Sequence, residues 1–307
     1  MSPGLTPKIA VILPMTAIAL LSILAAFTSG QGRGADKNTP HPQAILVSAS
    51  QAINNLPSVS AKIRQRADLL GQRLVGSGEY FQLGGGANMM FRLELKMHTD
   101  TIVSSLQHIS DGDTLWCRRN EQGKEQISYI NLREVRAKNE QPPAHPGKPR
   151  LPQLAPGGIA QLLRGLADHF QFQQIQASEL RGLPIWIIRG TWKTEKLIEI
   201  APKHREAILK GNYVNSSDWP SHLPEQVAIS LGQDDLFPYE LIYTRSGALQ
   251  KSPQGDQRPV MKPILTMELY DVRIGAPIDP LRFSFELQET GIATNHTDKY
   301  LSGHGLP

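Results

Sequence analysis

The sequence predicts an α+β protein that is mainly antiparallel β, with a curved, half-open sheet (an incomplete β-barrel) covered by helices. Three observations predict this class. Apolar and polar residues alternate along several segments, as in strands buried on one face only. Short turns containing glycine connect neighbouring segments of this kind. Only two segments have the spacing of amphipathic helices, so the strand–helix alternation of a parallel sheet is missing.

Composition allows a globular domain and narrows its chemistry. The chain has 307 residues, of which 40% are apolar, enough to bury a full core. A net charge of +4, from 32 basic and 28 acidic residues spread along the chain, does not predict nucleic-acid binding. Cys117 is the single cysteine, which excludes an internal disulfide and a cysteine-cluster metal site.

An uncharged apolar segment runs from Ile9 to Phe27 near the N-terminus. As a helix rising about 1.5 Å per residue, it would nearly span the hydrocarbon core of a bilayer, about 30 Å thick. Two interpretations remain open: residues 1–30 are a cleaved signal peptide, or residues 9–27 stay as a signal anchor in the inner membrane. Both predict an exported protein of the periplasm or cell envelope. Residues 31–42 read as a flexible linker.

The first half of the following domain shows a helix and then a series of strands. Apolar residues over 43–56 fall on one helical face, and Pro57 ends the helix. Strands are favoured over 58–83, because glycines interrupt that stretch. From Phe91 to His98 the alternation is regular, with Phe91 and every second residue after it apolar. Asp-Gly and Gln-Gly turns then predict a meander over 111–132.

Prolines are concentrated between residues 139 and 158, which predicts an extended insert. A second amphipathic helix is predicted over 158–170. One domain is therefore expected over 43–290, followed by a polar tail over 291–307. Further strands are predicted at 183–192, 225–231, 239–244, 264–274 and 282–287.

Four stretches of this sequence resemble the LolA-like family of periplasmic lipoprotein carriers. They are Ser58-Val59-Ser60-Ala61-Lys62-Ile63-Arg64-Gln65, Gly78-Glu79-Tyr80-Phe81-Gln82-Leu83, Phe91-Arg92-Leu93-Glu94-Leu95 and Ser110-Asp111-Gly112-Asp113-Thr114-Leu115-Trp116. The first three are similar to the family's first three strands, and the last resembles its DGxxLW hairpin. The resemblance covers about residues 43–135, and the remainder shares only a pattern of strands.

The resemblance implies a half-barrel whose apolar cavity, under a helical lid, binds an acyl chain. It implies that Arg92 matches the family's third-strand arginine, which is linked to holding the lid. From their apolar character, we expect seven side chains to be candidates for lining the cavity: Phe81, Phe91, Leu93, Leu95, Met97, Trp116 and Trp186.

No catalytic residue, metal site or cofactor is predicted. Cys117 and Trp116 should lie on opposite faces of a strand, where the thiol has no setting that lowers its pKa. Nine histidines show no metal-binding spacing, although His98 and His108 could approach one another across a hairpin. The glycines at 84–86 lack the lysine of a phosphate-binding loop.

Two functions from different classes follow. The first is a non-enzymatic envelope protein that binds a lipid, an acyl chain or a lipoprotein in an apolar cavity. The alternative is a membrane-anchored scaffold or sensor whose exported β domain binds proteins by its surface or by an exposed edge strand. An uncleaved segment 9–27 would contact the membrane and favour the alternative, because an anchored protein cannot shuttle.

Overall fold

The computed structural model describes residues 40–69, 72–99, 102–139, 157–211, 220, 223–251, 257–287 and 292–303. Among these residues no helix is long and apolar enough to cross a membrane. The predicted membrane segment 9–27 lies outside the described residues, as do most of the linker 31–42 and most of the proline-rich insert 139–158. The domain boundaries predicted from the sequence therefore stay predictions.

In the part of the chain that the structure describes, twelve strands form one open sheet. Its order is β12-β6-β5-β4-β3-β2-β1-β11-β10-β9-β8-β7, and neighbours pair antiparallel except β12 and β6, which are parallel. β7 and β12 are the two edges, so the sheet is not closed into a barrel. The strands are β1 (Ser58–Leu69), β2 (Gln72–Leu83), β3 (Met90–His98), β4 (Val103–Ser110), β5 (Thr114–Glu121), β6 (Lys124–Asn131), β7 (Phe170–Leu180), β8 (Leu183–Trp192), β9 (Gln226–Gly232), β10 (Pro238–Lys251), β11 (Gln257–Ile274) and β12 (Ala293–Asn295).

Six α-helices accompany the sheet in the described residues. They are α1 (Pro42–Asn54), α2 (Leu132–Asn139), α3 (Gly158–His169), α4 (Thr194–Ile200), α5 (Arg205–Leu209) and α6 (Thr297–Gly303). The helices predicted over 43–56 and 158–170 are confirmed as α1 and α3. These two pack against one another, and both contact β7.

Strand register separates the sheet into two faces. Leu93 of β3 opposes Tyr80 of β2, and both belong to the buried cluster that includes α1 and α3. We call this side the helix-covered face. Phe81 opposes Arg92 on the other side, which is crossed by residues 276–287. We call that segment the strap and the side beneath it the strap face.

The mainly antiparallel class is confirmed, and one predicted strand is wrong. Residues 282–287 do not form a strand, because a short 3-10 helix spans Pro280–Phe283 and an extended segment follows it. Pro280 opens that helix, and the Asp279 carboxylate accepts the amide N–H of Leu281. Within the predicted polar tail, β12 pairs with β6 and α6 follows.

Candidate functional site

The candidate site lies between the helix-covered face and the helices α1 and α3. Each helix turns one apolar side towards the sheet, as the sequence periodicity predicts. In α1 the buried side includes Ile45, Leu46 and Ile53, and in α3 it includes Leu163 and Leu166. Together with the sheet they form one buried cluster. Buried side chains of both helices thus pack on the strands that they cover.

Polar contacts fix α1 against α3 at two levels. Near the start of α1, the Gln43 amide donates to the carbonyl oxygen of Ala167 in α3 and accepts the amide N–H of Phe172 in β7, both at 2.9 Å. Further along, the Ser50 hydroxyl donates to the carbonyl oxygen of Ala160 at 2.9 Å. Since the start of α1 meets the end of α3, the two helices run antiparallel.

A second polar group holds the other end of the helix pair to β2. The buried Tyr80 hydroxyl donates to Gln82 Oε1 at 2.9 Å and accepts the amide N–H of Ile159 at 3.4 Å. Gln82 Nε2 donates in turn to the carbonyl oxygen of Ile53 at 3.1 Å. A Cβ on Gly158 would lie 2.4 Å from the Tyr80 oxygen, so glycine allows this close approach.

Replacing Gln43 by alanine should loosen the helix pair without unfolding the sheet. The variant loses two hydrogen bonds and leaves the Phe172 amide without its acceptor, at a cost of about 2 kcal/mol. We expect the equilibrium constant for opening of α1 and α3 to rise roughly 30-fold. Hydrogen exchange resolved by peptide measures this change as faster exchange of the helix amides. Gln171→Ala, an exposed neighbour on β7, is the control, and equal exchange in both variants would contradict the role of Gln43.

Five of the seven apolar candidates share the helix-covered face. Phe91, Leu93, Leu95 and Met97 are buried there, and Trp186 packs against the same cluster from β8. Phe81 and Trp116 lie on the strap face instead, because they occupy the opposite positions of the strand alternation. Trp116 stacks on Phe285 of the strap with ring centroids 4.7 Å apart. The structure therefore divides the predicted set between two faces.

Arg92 also lies on the strap face. Its Nη1 donates to the carbonyl oxygen of Arg282 at 2.9 Å, and its guanidinium pairs with Glu94. The Arg282 guanidinium in turn sits 4.5 Å from the ring centroid of Phe81. Alternation along β3 turns Arg92 away from α1 and α3, so the contacts that this arginine makes hold the strap.

Sequence reasoning missed a contact between His108 and Cys117. Nε2 of His108 lies 3.0 Å from the Cys117 sulfur, because the hairpin of β4 and β5 sets the two residues opposite each other. Burial and the nearby Arg119 charge lower the pKa of His108 to about 4. Burial raises the pKa of the Cys117 thiol. Near neutral pH the imidazole and the thiol are therefore both uncharged in the folded protein. The turn at 111–113 could have predicted this pairing.

Acidification should destabilise the protein through His108. The folded state keeps the imidazole neutral down to about pH 4, whereas the unfolded chain takes up a proton near 6.5. Stability due to this group is thus complete above pH 6.5 and is lost as the pH falls towards 4. When the pH falls from 7.5 to 5, we expect the free energy of unfolding of the wild type to fall by up to about 2 kcal/mol more than that of the His108→Gln variant. Urea unfolding of both proteins measures this difference, and parallel losses would contradict it.

The described residues contain no group of three or more histidine, cysteine, aspartate or glutamate side chains that could hold a metal ion. Register pairs His98 with Val103 and His108 with Leu93, so the two histidines are not brought together. A cleft of about 590 Å³ lies beside the start of β7, with Gln171, Lys193 and Glu195 in its lining. Its lining is largely polar, unlike the face beneath α1 and α3.

Comparisons with known proteins give only distant similarity. No protein-family model matches the chain, and no curated protein sequence matches it. Among solved structures, it is similar to LprF from Mycobacterium bovis, with 17% identity, a TM-score of 0.34, and coverage of 78% of this chain and 94% of that chain. Lipoprotein LppX from Mycobacterium tuberculosis shares 12% identity with a TM-score of 0.34, covering 78% and 97%. An outer membrane lipoprotein-sorting protein domain from Vibrio parahaemolyticus shares 8% with a TM-score of 0.30, covering 79% and 95%.

Proposed function

We propose that this chain is a non-enzymatic, LolA-like protein of the cell envelope that binds an acyl chain of a lipid or lipoprotein beneath α1 and α3. The observation that carries the proposal is the open sheet with an apolar face covered by a separate pair of helices. Phe91, Leu93 and Leu95 would line the site from β3. Trp186 would contribute from β8, with Met97 near the far end of β3.

Burial of apolar surface supplies the binding energy in this proposal. Each buried CH₂ group contributes about 0.8 kcal/mol, so a long acyl chain offers several times the free energy of a hydrogen bond. The same face is covered by Leu163, Leu166 and their neighbours in the closed form. An acyl chain would therefore replace helix side chains on the sheet, and loading requires α1 and α3 to lift.

The hydrogen bonds that hold the helix pair are few and individually weak, so they allow the helices to lift. Gln43, Ser50 and Tyr80 tie the helices by hydrogen bonds, whose net contribution is about 1 kcal/mol each. These bonds set the closed geometry and add only a small part to the cost of opening, most of which is the exposure of apolar surface. The ligand covers the apolar surface that opening exposes, so exchange between the closed and loaded forms needs no external energy source.

Mass spectrometry of organic extracts tests the proposal. We expect the full chain, purified in a non-ionic detergent, to release acyl lipids in a fixed molar ratio. Leu93→Asn places a polar group on the helix-covered face and should reduce that ratio at least tenfold. Leu281→Asn, on an exposed strap residue, is the control. Wild-type protein that carries no more lipid than an unrelated membrane-anchored control would refute the proposal.

A second candidate function is a membrane-anchored scaffold or sensor that binds a protein through β7. This strand is a sheet edge of 11 residues, and most of its side chains are exposed. It contains no proline or lysine, residues that commonly protect edges from pairing with other strands. An extended peptide could add to this edge through main-chain hydrogen bonds.

Proline substitution within β7 separates the two functions. Ala177→Pro would remove a main-chain N–H that points to the open side of β7 and would leave the helix-covered face apolar. The two-residue turn at Arg181 and Gly182 makes Leu180 and Leu183 a hydrogen-bonded pair, so alternate residues of β7 bond to β8 and Ala177 does not. In cross-linking of intact cells, the second function predicts that this variant loses partner proteins but keeps its lipid load. N-terminal sequencing of the mature protein complements this test, since cleavage before residue 31 would exclude an anchor.

A further inference from the structure

Three buried polar atoms on the helix-covered face have no hydrogen-bond partner among the described residues. One is Nδ1 of His108 in β4. The other two, Oε1 of Gln65 in β1 and the hydroxyl oxygen of Tyr243 in β10, lie on strands separated only by β11. The two residues are 1% and 3% exposed. Water at the protein surface therefore does not satisfy them.

Register places both side chains above the same strand. Gln65 opposes Met267 of β11, whereas Tyr243 opposes Leu265, two residues away on that strand. Their Cα atoms are thus roughly 12 Å apart, from the spacing of strands and of residues along them. Both side chains belong to the face that α1 and α3 cover, and the Tyr243 ring packs 5.9 Å from that of Phe170. One extended acyl chain on this face could reach both.

A buried polar atom without a partner is unfavourable, and native proteins keep few of them. Leucine or phenylalanine would fill the same volumes without that cost, as at Leu241 and Phe170 beside them. Both atoms also point to the same face of the sheet, towards the space that the proposed ligand would occupy. Their chemistry is complementary: Gln65 Oε1 accepts a hydrogen bond, and the Tyr243 hydroxyl can donate or accept one.

We propose that Gln65 and Tyr243 bind polar groups within the acyl ligand, so that the site prefers a chain with a hydroxyl or amide group to a plain hydrocarbon chain. This inference rests on the proposed function and specifies its ligand class. The Gln65 oxygen would accept the O–H or N–H of the ligand. The Tyr243 hydroxyl would pair with a ligand oxygen.

Competition between C18 acids tests the preference. The full chain in non-ionic detergent is incubated with equal amounts of stearate, 3-hydroxystearate and 12-hydroxystearate, and native mass spectrometry counts each bound acid. We expect at least one hydroxy acid to exceed stearate about tenfold on the wild type. Tyr243→Phe and Gln65→Met should each reduce this ratio towards one. Both variants should also raise the midpoint of thermal unfolding, since each removes an unpaired polar atom.

Tyr239→Phe is the matched control, because the Tyr239 hydroxyl already donates to Asp235. It should lower the midpoint of unfolding and leave the acid ratio unchanged. Equal binding of all three acids by the wild type would overturn the inference and leave the proposed function standing; buried water would then satisfy the two atoms. If no acid binds, both the inference and the proposed function fail.

Discussion

Replacing Phe283 by alanine is expected to destabilise the protein by about 3 to 5 kcal/mol, the cost of emptying a fully buried aromatic site. Phe283 is 1% exposed although it lies in the strap, outside the sheet. Its neighbours tie the strap down: Phe285 stacks on Trp116, and the Arg282 carbonyl accepts a hydrogen bond from Arg92. The strap is therefore part of the core on its own side of the sheet.

Urea unfolding monitored by circular dichroism measures this loss. Leu281→Ala is the control two residues away, because Leu281 is 76% exposed and its truncation should cost less than about 0.5 kcal/mol. A much larger loss of unfolding free energy for Phe283→Ala than for Leu281→Ala would show that the strap is held by its buried side chain. Similar small losses in both variants would show that the strap does not pack on β2–β5.

A second large effect is expected for Gly78→Ala in β2. A Cβ at this position would lie 1.8 Å from the backbone oxygen of Glu94 in β3, a contact that no side-chain rotation can relieve. The two strands must separate to admit the methyl group, which breaks ladder hydrogen bonds in the centre of the sheet. We expect a loss of about 3 kcal/mol or more, measured by the same unfolding assay.

Gly76→Ala provides the comparison on the same strand and the same face. Its added Cβ would meet first the sulfur of Met97, at 2.2 Å, and a methionine side chain can move aside. The expected loss is about 1 kcal/mol. If both substitutions cost the same, the close approach of β2 and β3 at Gly78 would be contradicted.

Alternation predicted the first half of the sheet well because its strands are regular and tight turns join them. The Asp-Gly turn at 111–113 fixes the hairpin of β4 and β5, and the regular pattern from Phe91 onward fixes the faces of β3. Helices α1 and α3 were predictable for the corresponding reason, since each has one apolar side over several turns.

Elements with weak patterns escaped prediction. β7 carries glutamines along an exposed edge, so only Phe170 and Phe172 at its start are buried. α2 is dominated by charged residues, and α4 and α5 are short. In the strap, by contrast, the pattern predicted a strand that does not form. Phe283 and Phe285 alternate with polar residues as in a strand, although the segment packs on the sheet without joining it.

The faces of the candidate site were only partly predictable. Alternation separated Leu93 from Arg92, but it could not say which side the helices cover, because both sides of β2–β5 carry large apolar residues. The deciding contact, from Arg92 to Arg282, joins residues 190 positions apart in the chain. Phe81 and Trp116 were therefore grouped with Phe91 and Leu93, from which the sheet separates them.

Photo-cross-linking with a diazirine-labelled stearic acid tests most directly whether an acyl chain binds beneath α1 and α3. The full chain is loaded in non-ionic detergent, irradiated and digested, and mass spectrometry locates the labelled residues. The proposal predicts labels on α1, on α3 and on strands beneath them, at residues such as Leu93 and Leu163, with competition by unlabelled stearate. Labels confined to the strap face or to exposed loops, or labels that stearate does not displace, would contradict it.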